Sequence, residues 1–197
     1  MRKKAALIAA IVLILGSLAG GTLAWLTDTT DEVVNTFTVG NIDITLKETT
    51  NEYKMVPGLE SKKDPKVTVL ANSEDCWLYV QVTEAGGDVT VKEDGKYVTK
   101  SFADFVEYDM DDGWEELGTD YPGVYYRSVE TPAQDSEFRV LKGDKVTYSE
   151  TITKEMMDAL RADGTELPKL TFQAYAVQRA TIDSAADAWK KIPTSEE

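Results

Sequence analysis

Cys76-Trp77-Leu78-Tyr79-Val80-Gln81-Val82-Thr83 alternates without a break. Cys76, Leu78, Val80 and Val82 share one side, and Trp77, Tyr79 and Gln81 share the other. A period of two over eight residues, rich in branched and aromatic side chains, predicts a β-strand with its Cys76 side facing inward. The same period recurs on either side of it. Ile42, Ile44 and Leu46 oppose Asp43 and Thr45; Val67 and Val69 flank Thr68; Leu170, Phe172, Ala174 and Ala176 oppose Thr171, Gln173 and Tyr175. Turn-forming pairs separate these runs: Pro57-Gly58, Gly86-Gly87, Asp94-Gly95, Asp112-Gly113, Pro122-Gly123 and Gly143-Asp144. Asp94-Gly95 stands between Val89–Val91 and Tyr97–Val98, and both residues tolerate the positive φ of a type I′ turn, which predicts a hairpin.

Two helical stretches interrupt the strands. Thr153 is placed to cap Lys154–Ala162, with Gly164 as a stop and Met156, Met157 and Leu160 near one face. Asp183 is placed to cap Ser184–Lys191, whose apolar side is Ala185, Ala188, Trp189 and Ile192 and which Pro193 ends. Many short strands with helices only at the margin predict an all-β fold, an antiparallel β-sandwich of jelly-roll type with two short peripheral helices. A closed barrel is the alternative, because strand order is not written in the periodicity.

Composition removes several kinds of chemistry. The chain has 197 residues, 21 Lys+Arg, 35 Asp+Glu, no His and one Cys. Without His there is no Ser-His-Asp or Cys-His machinery and no imidazole zinc site. One Cys excludes an intramolecular disulfide framework. A net charge of −14 argues against nucleic acid, which needs a basic face to displace counterions. No phosphate-cradling glycine loop or dinucleotide fingerprint is present.

Arg2, Lys3 and Lys4 precede an uncharged run from Ala5 to Leu26, with Thr22 and Ala24 as the small residues of a cleavage site. This is the pattern of a secretory signal peptide, residues 1–24, cut between Ala24 and Trp25. A retained anchor is the rival, since 22 uncharged residues are about enough to span a bilayer. Cleavage removes three cations and no anions, so residues 25–197 carry 18 Lys+Arg against 35 Asp+Glu, net −17. The chain then divides into an N-terminal segment (25–40), a sandwich domain (41–192) and a frayed acidic tail (193–197).

The stretch Gly20-Gly21-Thr22-Leu23-Ala24-Trp25-Leu26-Thr27-Asp28, followed by Asn35-Thr36-Phe37-Thr38-Val39-Gly40-Asn41-Ile42-Asp43-Ile44, resembles the TasA/camelysin family of secreted Gram-positive proteins. The motif residues are Asn35, Phe37, Gly40, Ile42, Asp43 and Ile44. The likeness is looser at Leu141–Val146, Ala174–Gln178 and Ala185–Trp189. It implies export, signal removal by an ER-type signal peptidase, a jelly-roll body and an extracellular-matrix or cell-surface location, with membrane contact only before the signal is removed. In fibre-forming members the freed N-terminal segment enters the next subunit as a strand. Carried onto this chain, the donor would run from Trp25 to about Thr38, with Trp25, Leu26, Val33, Val34 and Phe37 as its apolar residues. The partners implied are further copies of the chain and related matrix proteins.

The remaining candidates for chemistry have plainer explanations. Some camelysin relatives carry a metallopeptidase assignment, but zinc peptidases hold metal through His, and this chain has none. Asp109, Asp111 and Asp112 ahead of Gly113 suggest calcium only superficially. Counted from Asp109 as an EF-hand, position 6 is Trp114 and position 12 is Asp120, so the run reads as an acidic hairpin turn. Cys76 reads as a buried small hydrophobe. Trp77, Tyr79, Tyr125 and Tyr126 suit a glycan-binding surface or, more simply, cross-strand packing. No catalytic residue, cofactor or metal ligand is assigned. The expectation is a non-enzymatic, secreted fibre subunit of biofilm-matrix type; the alternative is a monomeric binding module for a glycan or a protein on the same fold.

Overall fold

The computed structural model describes residues 41–49 and 54–192. Twelve strands and two short α-helices are present among them. The alternating stretch Cys76–Thr83 lies within the longest strand region, β4 (Cys76–Ala85), which is central to a four-stranded antiparallel sheet. Its neighbours are β12 (Lys169–Gln178) on one side and β9 (Val124–Val129) on the other, with the two-residue β8 (Glu115–Glu116) beyond β9.

The opposing layer is built from two three-stranded antiparallel sheets. One has the order β1 (Ile44–Lys47), β3 (Lys66–Val69), β10 (Ser136–Arg139); the other has β2 (Glu60–Lys62), β11 (Lys145–Tyr148), β7 (Val106–Glu107). Lys63-Asp64-Pro65 carries β2 into β3, and residues 140–144 carry β10 into β11. The two breaks lie side by side and are bonded across: Val140 N–H donates to Pro65 C=O at 3.0 Å and Lys63 N–H to Asp144 C=O at 2.8 Å. The layer is therefore continuous in hydrogen bonding but kinked at its middle.

Between the layers lies one core. Cys76, Leu78, Val80 and Val82 from β4 and Phe172, Ala174 and Ala176 from β12 meet Val67 and Val69 from β3 and Val146 and Tyr148 from β11. Ile42, Ile44 and Leu46 pack against it from the edge. The inward sides are the ones the periodicity assigns, and burying them provides most of the drive to fold at about 25 cal/mol per Å². The fold is the expected all-β antiparallel sandwich.

The hairpin β5 (Val89–Glu93) to β6 (Lys96–Lys100) turns at Asp94 (φ +48°) and Gly95 (φ +81°), as predicted. Helix α1 (Lys154–Leu160) lies against β5 and buries Met156 and Leu160. Its cap is Thr153, whose hydroxyl accepts from Met156 N–H at 3.2 Å. Helix α2 (Ala185–Trp189) is capped by Ser184, whose hydroxyl accepts from Asp187 N–H at 3.1 Å. The expected Asp183 cap is thus one residue early. Asp109–Gly113 also corrects an expectation. β7 pairs with β11 and β8 with β9, so the acidic turn is a crossing between layers and not a hairpin. The crossing is held because Met110 bridges to Leu141 and Asp111 N–H donates to Val140 C=O.

Candidate assembly edge

β4 and β12 pair over ten residues, from Cys76 opposite Gln178 to Ala85 opposite Lys169. One step beyond, Arg179 N–H donates to Asp75 C=O at 2.8 Å. In an antiparallel ladder bonded and non-bonded pairs alternate. The odd-numbered residues of β12 therefore turn their backbone groups toward β4. Leu170, Phe172, Ala174, Ala176 and Gln178 turn theirs away. The parity is consistent on the other side of β4, where Val82 N–H donates to Gly123 C=O at 2.7 Å.

Among the described residues β12 pairs with β4 alone, so the outward N–H and C=O groups of these five residues have no strand partner there, although β1 lies against this side and Phe172, Ala174 and Ala176 are buried. That edge differs from every other. The remaining strands that end a sheet are β1, β2, β5, β6, β7, β8 and β10; each has five residues or fewer and carries at least one charged residue. Short length and charge are the usual protections of an exposed edge. β12 has ten residues, and after Lys169 it reads Leu-Thr-Phe-Gln-Ala-Tyr-Ala-Val-Gln with no charge and no proline. Its start is fixed by Gly86-Gly87, where Gly87 N–H donates to Glu166 C=O at 2.8 Å. A Cβ on Gly86 (φ +68°) would lie 2.3 Å from Leu167 O.

β1 lies against β12, and below it sits a polar cluster that the periodicity did not reveal. Lys63 and Asp64 are buried. Lys63 Nζ is 2.9 Å from Glu48 and 5.3 Å from the centroid of the Phe172 ring. Asp64 accepts from Thr49 N–H at 3.1 Å and from its hydroxyl at 2.8 Å, and Lys62 Nζ is 2.8 Å away. Burial pushes the Asp64 carboxyl up, but the hydrogen bonds from Lys62 and Thr49 outweigh it and hold its pKa at about 2.

The outer face of the four-stranded sheet is covered. Trp77, Tyr79, Tyr126, Tyr175 and Val177 pack with Ala185, Ala188, Trp189 and Ile192 in a second apolar cluster. Tyr79 is fully buried, its hydroxyl donates to Ala185 C=O at 2.7 Å, and Trp77 Nε1–H donates to Ile182 C=O at 3.1 Å. Trp189 meets the rings of Tyr79 and Tyr175 at 5.2 and 5.4 Å between centroids. The aromatic residues considered for a glycan surface are therefore packing residues, and Tyr125 is separated from Tyr126 because it faces the main core. Cys76 is fully buried, and burial lifts its thiol pKa to about 12, which keeps it protonated and inert.

Asp112 pairs with Lys142 at 3.3 Å. Among the described residues no three Cys, Asp or Glu side chains converge to hold a metal ion, and no helix is long and apolar enough to cross a membrane. Of the residues that carry the TasA/camelysin likeness, Ile42 and Asp43 lead into β1 and Ile44 opens it, with Asp43 N–H donating to Ser73 Oγ at 3.2 Å. Ala24, Trp25, Leu26, Val33, Val34, Asn35, Phe37 and Gly40 lie outside the described residues, as does the 193–197 tail.

No protein-family profile matches the chain, and no curated protein matches it. Among solved structures, MyfA, the major subunit of Myf fimbriae from Yersinia enterocolitica, solved self-complemented and with galactose, aligns over 70% of this chain and 99% of that chain. The identity is 17% and the TM-score 0.23, at which the two backbones do not superpose as one fold.

Proposed function

We propose that this chain is a secreted structural subunit of extracellular fibres, of the biofilm-matrix type, that assembles by donating its N-terminal segment to a neighbour. The observation that carries the reading is the outer edge of β12, which has no strand partner among the described residues: it is ten residues long and uncharged after Lys169, whereas the other described sheet ends are short and charged. Such an edge is a template for another strand. The secretory pattern of residues 1–24 and the TasA/camelysin-like motif around Trp25–Ile44 support the same reading. Cleavage before Trp25 would free two large apolar residues, Trp25 and Leu26, whose burial in a second subunit contributes at about 25 cal/mol per Å². An ER-type signal peptidase would make that cut, and related matrix proteins would be eligible partners. No enzymatic step enters this proposal.

A synthetic peptide spanning Trp25–Thr38 tests it. Added in excess to the chain that begins at Trp25, the peptide should occupy the acceptor edge, stop growth and raise the melting temperature. Growth that proceeds unchanged at saturating peptide, with no thermal shift, would refute strand donation by this segment.

A further inference from the structure

β9 carries one charged residue, Arg127, and carries it on the inward face. Tyr125 and Val129, two positions to either side, face the main core. Arg127 stands between them in the same period of two, opposite Leu78 of β4. Its guanidinium therefore enters the gap between the layers, where two rings flank it. Cζ is 4.2 Å from the centroid of Phe138 on β10 and 5.3 Å from that of Trp114, which leads into β8. Each ring is held without help from Arg127. Trp114 Nε1–H donates to Arg139 C=O at 2.7 Å, and Phe138 lies opposite Val67 in the β10–β3 ladder. Gly113 leaves the space for the guanidinium end, because a Cβ there would lie 2.9 Å from Nη2.

The charge of this group is uncompensated. Four arginines stand among the described residues. Arg139, Arg161 and Arg179 pair with Asp144, Asp158 and Asp75 at 3.7, 3.3 and 3.3 Å. Arg127 is half-buried, its Nε is sealed from solvent without an acceptor, and no carboxylate of the described residues reaches ion-pair distance. This is so in a chain with 35 Asp+Glu. Burial pulls the Arg127 pKa below the ordinary arginine value, and the charge of Asp111, acting through space, offsets only part of that. The two rings attract the cation but accept few of its five N–H donors.

A guanidinium fork held flat between rings matches the two oxygens of a carboxylate, which takes a pair of parallel N–H bonds. We propose that Arg127, walled by Trp114 and Phe138, is the binding site for the carboxylate of a small monocarboxylic acid, gripped end-on by Nη1 and Nη2. With Nε sealed, the Nη end beside Gly113 is the one a ligand reaches. Charge sets the size of the ligand. Asp111 and Asp112 precede Gly113, and the chain as a whole is at −14, so a polyanion is repelled beyond its first carboxylate while a single one is not. The inference is independent of strand donation, since the site lies between β9 and β10 and β12 takes no part in it.

Nuclear magnetic resonance of the chain beginning at Trp25 tests this, because that chain has four arginines whose Nε–H signals can be followed separately. Sodium acetate and sodium D-glucuronate are titrated at constant ionic strength, with sodium chloride and D-glucose as controls. The Arg127 and Trp114 Nε1–H signals should shift and saturate with both acids and with neither control, while the other three arginines stay in place. Arg127→Lys keeps a cation between the rings but loses the parallel donors, so affinity read at the Trp114 signal should fall at least about 10-fold. Urea unfolding checks that this variant is folded, and the wild-type titration decides alone if it is not. Shifts that never saturate, or that appear equally at all four arginines, would be screening and would overturn the site. Undiminished affinity in folded Arg127→Lys would overturn it as well. Binding of a poly-glutamate peptide, with neither small acid bound, would overturn the small-ligand assignment in favour of an acidic protein partner.

Discussion

Ala174→Pro separates the edge of β12 from its ladder. Ala174 is even-numbered, so its N–H points away from β4 and no internal hydrogen bond is lost when proline removes it. Proline is tolerated on an edge strand in that orientation. The two added ring carbons at a site 6% exposed cost about 1–3 kcal/mol in overpacking, offset by about 0.4–1 kcal/mol from a stiffer unfolded chain. The folded subunit should therefore survive with a modest loss in urea stability. An incoming strand, however, meets a ring where it needs a donor. Losing that bond and the two flanking ones, at about 1 kcal/mol each, weakens docking by about 3 kcal/mol, or roughly 100-fold in the critical concentration for growth. Gln173→Pro is the control. Its N–H faces Gln81 in the ladder, so it should destabilise the subunit itself by about 3 kcal/mol or more. Urea titration and sedimentation of both variants decide the matter. Ala174→Pro growing fibres at the wild-type critical concentration would refute the assignment of the acceptor edge.

Three further outcomes follow from the same structure. Tyr79→Phe removes a fully buried hydroxyl that bonds Ala185 C=O and should cost about 1 kcal/mol in urea unfolding; a neutral result would mean that the cover over the outer face does not depend on it. Asp64 has its folded pKa depressed to about 2 from an ordinary 3.8, so the stability it confers is present above about pH 4 and is lost as pH falls toward 2; Asp64→Asn should flatten that part of the acid limb, seen by thermal melts across pH 2–5. Residues 25–197 carry net −17, so subunits cut before Trp25 would repel, added salt should speed their growth, and a steady slowing with salt in a light-scattering assay would contradict apolar and main-chain contacts.

The periodicity of Cys76–Thr83 and Leu170–Ala176 was enough to place both strands and both of their faces, because burial on one side is a local, alternating pattern. The Asp94-Gly95 turn and the Thr153 cap were legible for the same reason: each is a short-range backbone requirement. The β2–β3 and β10–β11 breaks were not, since Lys63 and Asp64 read as surface residues until Glu48 and Thr49 are brought beside them. The cover on Trp77 and Tyr79 depends on residues more than a hundred positions away, which no local pattern encodes. That β12 has one strand partner alone among the described residues was also hidden. Alternation says which side chains face inward but not which neighbour the backbone lacks.

The most direct measurement is electron microscopy of two purified forms, one beginning at Trp25 and one keeping extra residues ahead of it. The account predicts ordered fibres from the first and single subunits from the second. Single subunits from both, at every salt concentration and pH, would contradict it.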